Sequence, residues 1–163
     1  SDRLVFSCQD EGNWGIYMIE EGEGKEVTPL LDSSLNEYAP IIVKGGERLI
    51  YTLEGEIFNR IVEYSLSAKE SKNLVFTKND LHSLKVSPDG QKLLYTEIEG
   101  NTENLFYYDR ETDQLKKVAD GITSFDWFLD SNKFVYIKDK TMYLANISHI
   151  SNRVEKENDI EFQ

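Results

Sequence analysis

The sequence predicts an all-β fold: a β-propeller-like array of four antiparallel four-stranded blades, with the C-terminal strand completing the first blade. Three observations predict it. A basic-led apolar strand occurs four times, as Arg3-Leu4-Val5-Phe6, Arg48-Leu49-Ile50-Tyr51, Lys92-Leu93-Leu94-Tyr95 and Lys133-Phe134-Val135-Tyr136. The copies recur about every 41–45 residues, the period of four-stranded propeller blades. The apolar runs are short, β-branched and aromatic, with 9 Tyr and 8 Phe in 163 residues, a pattern that suits strands between turns and not amphipathic helices.

Within each copy the elements follow in order. An inner strand and a tight turn precede the basic-led strand: Pro40-Ile41-Ile42-Val43 before Lys44-Gly45-Gly46-Glu47, Leu84-Lys85-Val86 before Ser87-Pro88-Asp89-Gly90, and Phe125-Asp126-Trp127-Phe128 before Leu129-Asp130-Ser131-Asn132. Pro-Asp-Gly supplies a fixed φ, a side-chain acceptor and a residue free to take positive φ. A third strand follows, at Gly15–Ile19, Arg60–Tyr64, Asn104–Tyr108 and Thr141–Ala145. After a polar turn, clearest at Asp109–Asp113, a weaker outer strand closes the unit at Glu26–Leu30, Lys72–Phe76 and Gln114–Val118. Leu66–Lys72 looks locally helical but is short, and reads as an extended turn.

The first copy has no inner strand of its own, and Asp159-Ile160-Glu161-Phe162 aligns with the inner segment Ser124-Phe125-Asp126-Trp127. The C-terminal segment is therefore expected to pair into blade one and remove its open edge. The blades of this single repeat domain then span 1–37 with 158–163, 38–81, 82–122 and 123–157. Part of a larger propeller, or two chains combining, are the competing arrangements, so monomer and dimer both stay open.

The string from Ser87 to Phe128, SPDGQKLLYTEIEGNTENLFYYDRETDQLKKVADGITSFDWF, resembles the PD40 (WD40-like) repeat of TolB-like β-propellers. Ser87, Pro88, Asp89 and Gly90 match that repeat in full, followed by the strand Lys92–Tyr95; the other three copies keep the strand pattern and lose the turn motif. The resemblance implies a propeller fold and a scaffold or protein-binding role. It also implies a periplasmic or cell-envelope location in bacteria, with the cytoplasm still open. It specifies activity poorly, because the same repeat serves transport scaffolds, peptidase caps and other binding modules.

Charge narrows the partners. With 30 acidic and 18 basic residues the net charge is -12, which repels phosphate backbones and anionic membranes, so neither nucleic acid nor membrane insertion is expected. No apolar run approaches the ~18 residues of a membrane span. One cysteine, Cys8, forbids an internal disulfide and is expected to be packed in its strand.

No enzyme is expected, and no cofactor. The sequence has neither Gly-x-Ser-x-Gly nor a Ser-x-x-Lys pairing in a convincing context. Gly22-Glu23-Gly24 is spaced like a phosphate loop, but acids flank it and no helix follows, so it reads as a hairpin turn. Two separated histidines, His82 and His149, with Cys8 make no zinc set. Asp10, Glu11 and Asn13 cluster without matching the calcium-loop pattern, and the metal question stays open. Asn146-Ile147-Ser148 fits a glycosylation sequon and is read as chance. The candidate binding residues lie where loops precede the inner strands, at Tyr38, His82, Ser83, Ser124 and Asp159. Period-2 alternation turns Asp126, Glu161 and Lys85 away from the packed aromatics, toward an expected central channel. The leading expectation is a protein partner; a small ligand or metal in the channel is the alternative, and a fragment or cap of a larger propeller enzyme is the third.

Overall fold

The computed structural model describes residues 3–10, 12–20, 26–150 and 160–161. The strands fall into four antiparallel sheets. The first is β1 (Arg3–Asp10), β2 (Asn13–Glu20) and β3 (Val27–Leu31). The second is β4 (Asn36–Ile42), β5 (Arg48–Glu54), β6 (Asn59–Ser65) and β7 (Glu70–Thr77). The third is β8 (Asp80–Val86), β9 (Lys92–Glu99), β10 (Thr102–Asp109) and β11 (Gln114–Asp120). The fourth is β12 (Ile122–Trp127), β13 (Lys133–Lys138), β14 (Thr141–Asn146) and, after the single helical turn α1 (Ile147–Ile150), β15 (Ile160–Glu161). The chain divides into two compact units, Ser1–Lys78 and Asn79–Gln163. The all-β repeat read from the sequence is present.

Each unit buries its own core. In the first, Ile16, Leu49, Tyr51, Leu53, Val62 and Tyr64 are buried, with Val5, Leu30, Leu31, Leu35, Ile42 and Leu66 packed against them. In the second the core includes Leu94, Leu105, Tyr107, Phe125, Phe134 and Tyr136, backed by Trp127 and Tyr143. In three of the four copies the aromatic that ends the basic-led segment stacks across the sheet, and in the other Tyr51 is buried in the core. Phe6 stacks on its register partner Tyr17 at 6.2 Å, Tyr95 on Phe106 at 5.3 Å and Tyr136 on Tyr143 at 5.1 Å. Such cross-strand pairs are the unit of sheet stabilisation.

The turns follow the sequence signals. Gly90 (φ 80) donates its N–H to the Ser87 carbonyl at 2.8 Å, and Ser87 N–H closes on the Lys92 carbonyl at 2.8 Å. The same two bonds occur as Gly46 to Val43 and Val43 to Arg48, and as Ser131 to Phe128 and Phe128 to Lys133. Ser131 takes positive φ (58) where its counterparts are Gly46 and Gly90. The stretch after Leu66 is a turn that enters β7, as expected. The sequon-like Asn146 caps α1: its Oδ1 accepts from the Ser148 amide at 3.1 Å and hydroxyl at 2.9 Å, the ordinary use of Asn ahead of a helical turn.

Two expectations are corrected. The C-terminal strand does not complete the first sheet: Ile160 pairs with Met142 and Glu161 with Thr141, so β15 is the outer strand of sheet four. That is the position filled by β7 and β11 in their sheets. Returning to β14 closes a loop of some 14 residues where pairing with β1 would close about 150, a difference of roughly 2 kcal/mol in closure entropy. Among the described residues sheet one has three strands, and Asp159 and Phe162 lie outside them. Cys8 is in a strand but exposed. Val5 faces the core, and alternation puts Leu4, Phe6 and Cys8 on the opposite face of β1.

Candidate functional site

The inner strands β4, β8 and β12 each stand at one end of their sheet's strand order, and each is bulged. The register of β8 against β9 shifts between Leu81 and Leu84, so His82 and Ser83 together oppose Thr96. In β4 the shift lies between Tyr38 and Ile41, and Ala39 takes a positive φ of 52. In β12 it lies between Ile122 and Ser124. A bulge bends its strand and re-aims the side chains beside it. The structure therefore puts Tyr38, His82, Ser83 and Ser124 at or beside equivalent irregular points of three strands.

A buried threonine on the basic-led strand holds the bulge. The Thr96 hydroxyl, fully buried, accepts the Ser83 amide at 3.1 Å and donates to Glu103 Oε1 at 2.8 Å. Glu103 Oε1 also lies 3.0 Å from Nδ1 of His82, whose side chain is 62% exposed. The result is a chain from Ser83 through Thr96 and Glu103 to an imidazole whose far nitrogen is left for solvent. In β5 the counterpart Thr52 donates to the Tyr38 carbonyl at 2.8 Å, and Glu54 accepts from the Tyr38 hydroxyl at 2.9 Å and Asn36 Nδ2 at 3.0 Å.

Lys85 and Asp126 occupy matching register positions of β8 and β12. Their charged atoms meet at 3.0 Å, and the Lys85 ammonium also lies 5.5 Å from the centre of the Phe125 ring. Trp127 Nε1 donates to the Lys85 carbonyl at 3.3 Å, which ties the two strands together. Alternation holds as read: Phe125 is buried, Trp127 packs on the core and Asp126 is exposed. Glu161 is not brought to this pair in register, because its backbone belongs to β15 at the other edge of sheet four. Asp159 falls outside the described residues.

Sequence reasoning missed the supporting residues Thr52, Thr96, Glu54 and Glu103. A signal existed for the threonines: Tyr51-Thr52 and Tyr95-Thr96 extend the repeated strand by one shared residue. No spacing rule marked the glutamates, which meet their partners across neighbouring strands.

The Ser87–Gly90 turn anchors the same unit. Asp89 accepts from the Ser87 hydroxyl, from the Gln91 amide at 3.0 Å and from the Lys92 ammonium at 2.9 Å. Its own amide donates to Ser131 Oγ at 2.9 Å in the turn of sheet four. Partial burial opposes ionisation of Asp89, but Ser87, Gln91 and Lys92 outweigh it and hold the carboxyl below its ordinary value. Burial, reinforced by nearby carboxylates, pushes the Tyr95, Tyr107 and Tyr108 hydroxyls well above theirs, so these act as neutral groups.

No protein-family model matches the sequence, and no curated protein does. Solved structures do. TolB from Acinetobacter baumannii superposes with a TM-score of 0.71 at 16% identity, over 88% of this chain and 39% of its own. The fold is that of the TolB-like β-propellers. A putative TolB from Agrobacterium tumefaciens gives 0.70 at 14% identity, over 98% of this chain and 62% of its own. An oligogalacturonate lyase from Vibrio parahaemolyticus gives 0.72 at 13% identity, over 99% and 49%. The chain thus spans less than two thirds of the length of these TolB-like structures. Likeness at this identity carries the fold and leaves chemistry to the residues.

Proposed function

We propose that this chain is a non-catalytic protein-interaction module, the propeller portion of a longer protein, acting in the bacterial cell envelope. The observation that supports it best is the rigid presentation of His82 at a strand bulge, with Thr96 and Glu103 behind it. Recognition residues sit on irregular backbone held by a stiff scaffold, and Tyr38, beside the bulge of β4, is held by Thr52 at its carbonyl and by Glu54 at its hydroxyl. The TolB-like fold supports an envelope setting and a protein ligand. The lyase among the similar structures keeps the enzyme-fragment alternative in view. The sensor alternative draws less support, since Lys85 and Asp126 neutralise each other and leave little net charge for an ion.

The test is affinity capture from a bacterial envelope extract, comparing the wild type with His82→Ala, Tyr38→Phe and Lys85→Met. Loss of a defined partner by His82→Ala, and its retention by Lys85→Met in the same unit, is the expected result; Tyr38→Phe tests the first unit separately. An identical partner list for all four proteins would end the reading. A melting temperature raised by a metal or sugar, and lost in Lys85→Met, would favour the sensor instead.

A further inference from the structure

Sheet two departs from its sister sheets at one corner. Their strands β1–β2, β9–β10 and β13–β14 are joined by Glu11-Gly12, Gly100-Asn101 and Asp139-Lys140, all polar or glycine. Between β5 and β6 the chain instead runs Gly55-Glu56-Ile57-Phe58. This turn is tight: a Cβ on Gly55 would lie 2.6 Å from the Phe58 carbonyl oxygen. It leaves Ile57 72% and Phe58 43% exposed. Across the sheet, Arg60 faces Phe76, which is 60% exposed. The equivalent register pairs are Asn104 with Asp120 and Thr141 with Glu161. A register position that carries an acid in two sister sheets thus carries a phenylalanine here.

These side chains, with Leu35 and Glu56, line an open cleft of about 410 Å³, within the ~300–1,000 Å³ range of ligand sites. Cations border its apolar wall. Nε of Arg60 is buried without a hydrogen-bond partner, and the Lys78 ammonium lies 5.6 Å from the centre of the Phe58 ring. That Nε is shielded, but Arg60 as a whole is half-buried and lines the cleft, and a guanidinium is well suited to pair with a carboxylate. In a chain of net charge -12, this mostly apolar cleft has Arg60 as well as Glu56 in its lining and Lys78 beside Phe58.

We infer that this cleft docks an acidic–apolar peptide segment of a partner protein: an aliphatic or aromatic side chain seated among Ile57, Phe58 and Phe76, with a neighbouring carboxylate on Arg60. The assignment is independent of the inner-strand reading, because none of Tyr38, His82, Ser83 or Ser124 lines the cleft.

The experiment is a backbone-amide NMR titration of the full chain with three blocked pentapeptides. The first is Asp-Phe-Asp-Leu-Asp, the second has lysine for every aspartate, and the third has serine for both apolar residues. Saturable shifts centred on Ile57, Phe58, Arg60 and Phe76 with the first peptide alone are expected. Phe76→Asp, which restores the acid of the sister sheets, should weaken binding at least tenfold, and Arg60→Gln should do so as well. If either variant fails to fold, Ile57→Ser at the most exposed position provides the same comparison. Equal shifts with the lysine peptide, shifts confined to the inner strands, or no shift at millimolar peptide would each overturn the assignment. So would concentration-dependent dimerisation abolished by Ile57→Ser, which would make a second copy the occupant.

Discussion

Replacing Asp89 with alanine tests whether the Ser87–Gly90 turn stabilises the second unit or merely links two strands. The side chain holds three donors and its amide reaches Ser131, so the substitution removes the Ser87, Gln91 and Lys92 contacts together. Hydrogen bonds to a charged acceptor contribute about 1.5–3 kcal/mol each when buried. The Asp89 side chain is 38% exposed, so solvent screening cuts the ion-pair part to well under about 1 kcal/mol. The net expected loss is about 2 kcal/mol, read as a lower urea midpoint at pH 7. The pH dependence sharpens the test. The folded-state carboxyl ionises below its ordinary value of 3.8, so its contribution is complete above that value and fades as pH falls through the lower folded one. The gap between wild type and Asp89→Ala should therefore hold constant from pH 8 to 5 and narrow below about pH 4. A gap under ~0.5 kcal/mol at pH 7, the size of an ordinary surface change, would refute the reasoning. So would a gap unchanged in acid.

Gly90→Val in the same turn should cost about 1–3 kcal/mol, because a β-branched residue tolerates positive φ poorly, and differential scanning calorimetry should show the melting temperature fall by several degrees. Thr96→Val keeps shape and burial but strips the Ser83 amide of its acceptor and Glu103 of a donor. Urea unfolding should report a loss of about 1–3 kcal/mol, and amide exchange at Ser83 should accelerate while the amides of β10 stay protected.

Much of the fold was legible because the repeat states it four times. Basic-led strands with a terminal aromatic told the period, and the stacked pairs Tyr95–Phe106 and Tyr136–Tyr143 show why an aromatic is wanted there. The turn at Asp89 and Gly90 followed from local chemistry alone. Two things were less legible. Alignment put residues 158–163 in an inner-strand position, yet similarity to an inner strand and to an outer one is hard to separate in a segment of alternating acid and apolar residues. Chain proximity to β14 decides it. The candidate site was half visible: alternation told which way Lys85 and Asp126 point, but the bulges that aim His82 and Tyr38 depend on Thr96 and Thr52 reaching across to the next strand. Those contacts have no periodic signature.

The bulges of β4, β8 and β12 have a consequence for how the molecule behaves in company. Each of these strands ends its sheet's strand order, and a flat run of free backbone groups invites a like strand from a neighbouring molecule. Two residues set against one break the ladder, so an incoming strand finds no continuous register to copy. Mutual repulsion at net charge -12 guards the same edges from a distance. As the carboxylates protonate in mild acid the repulsion disappears, and the geometric guard at these strands remains.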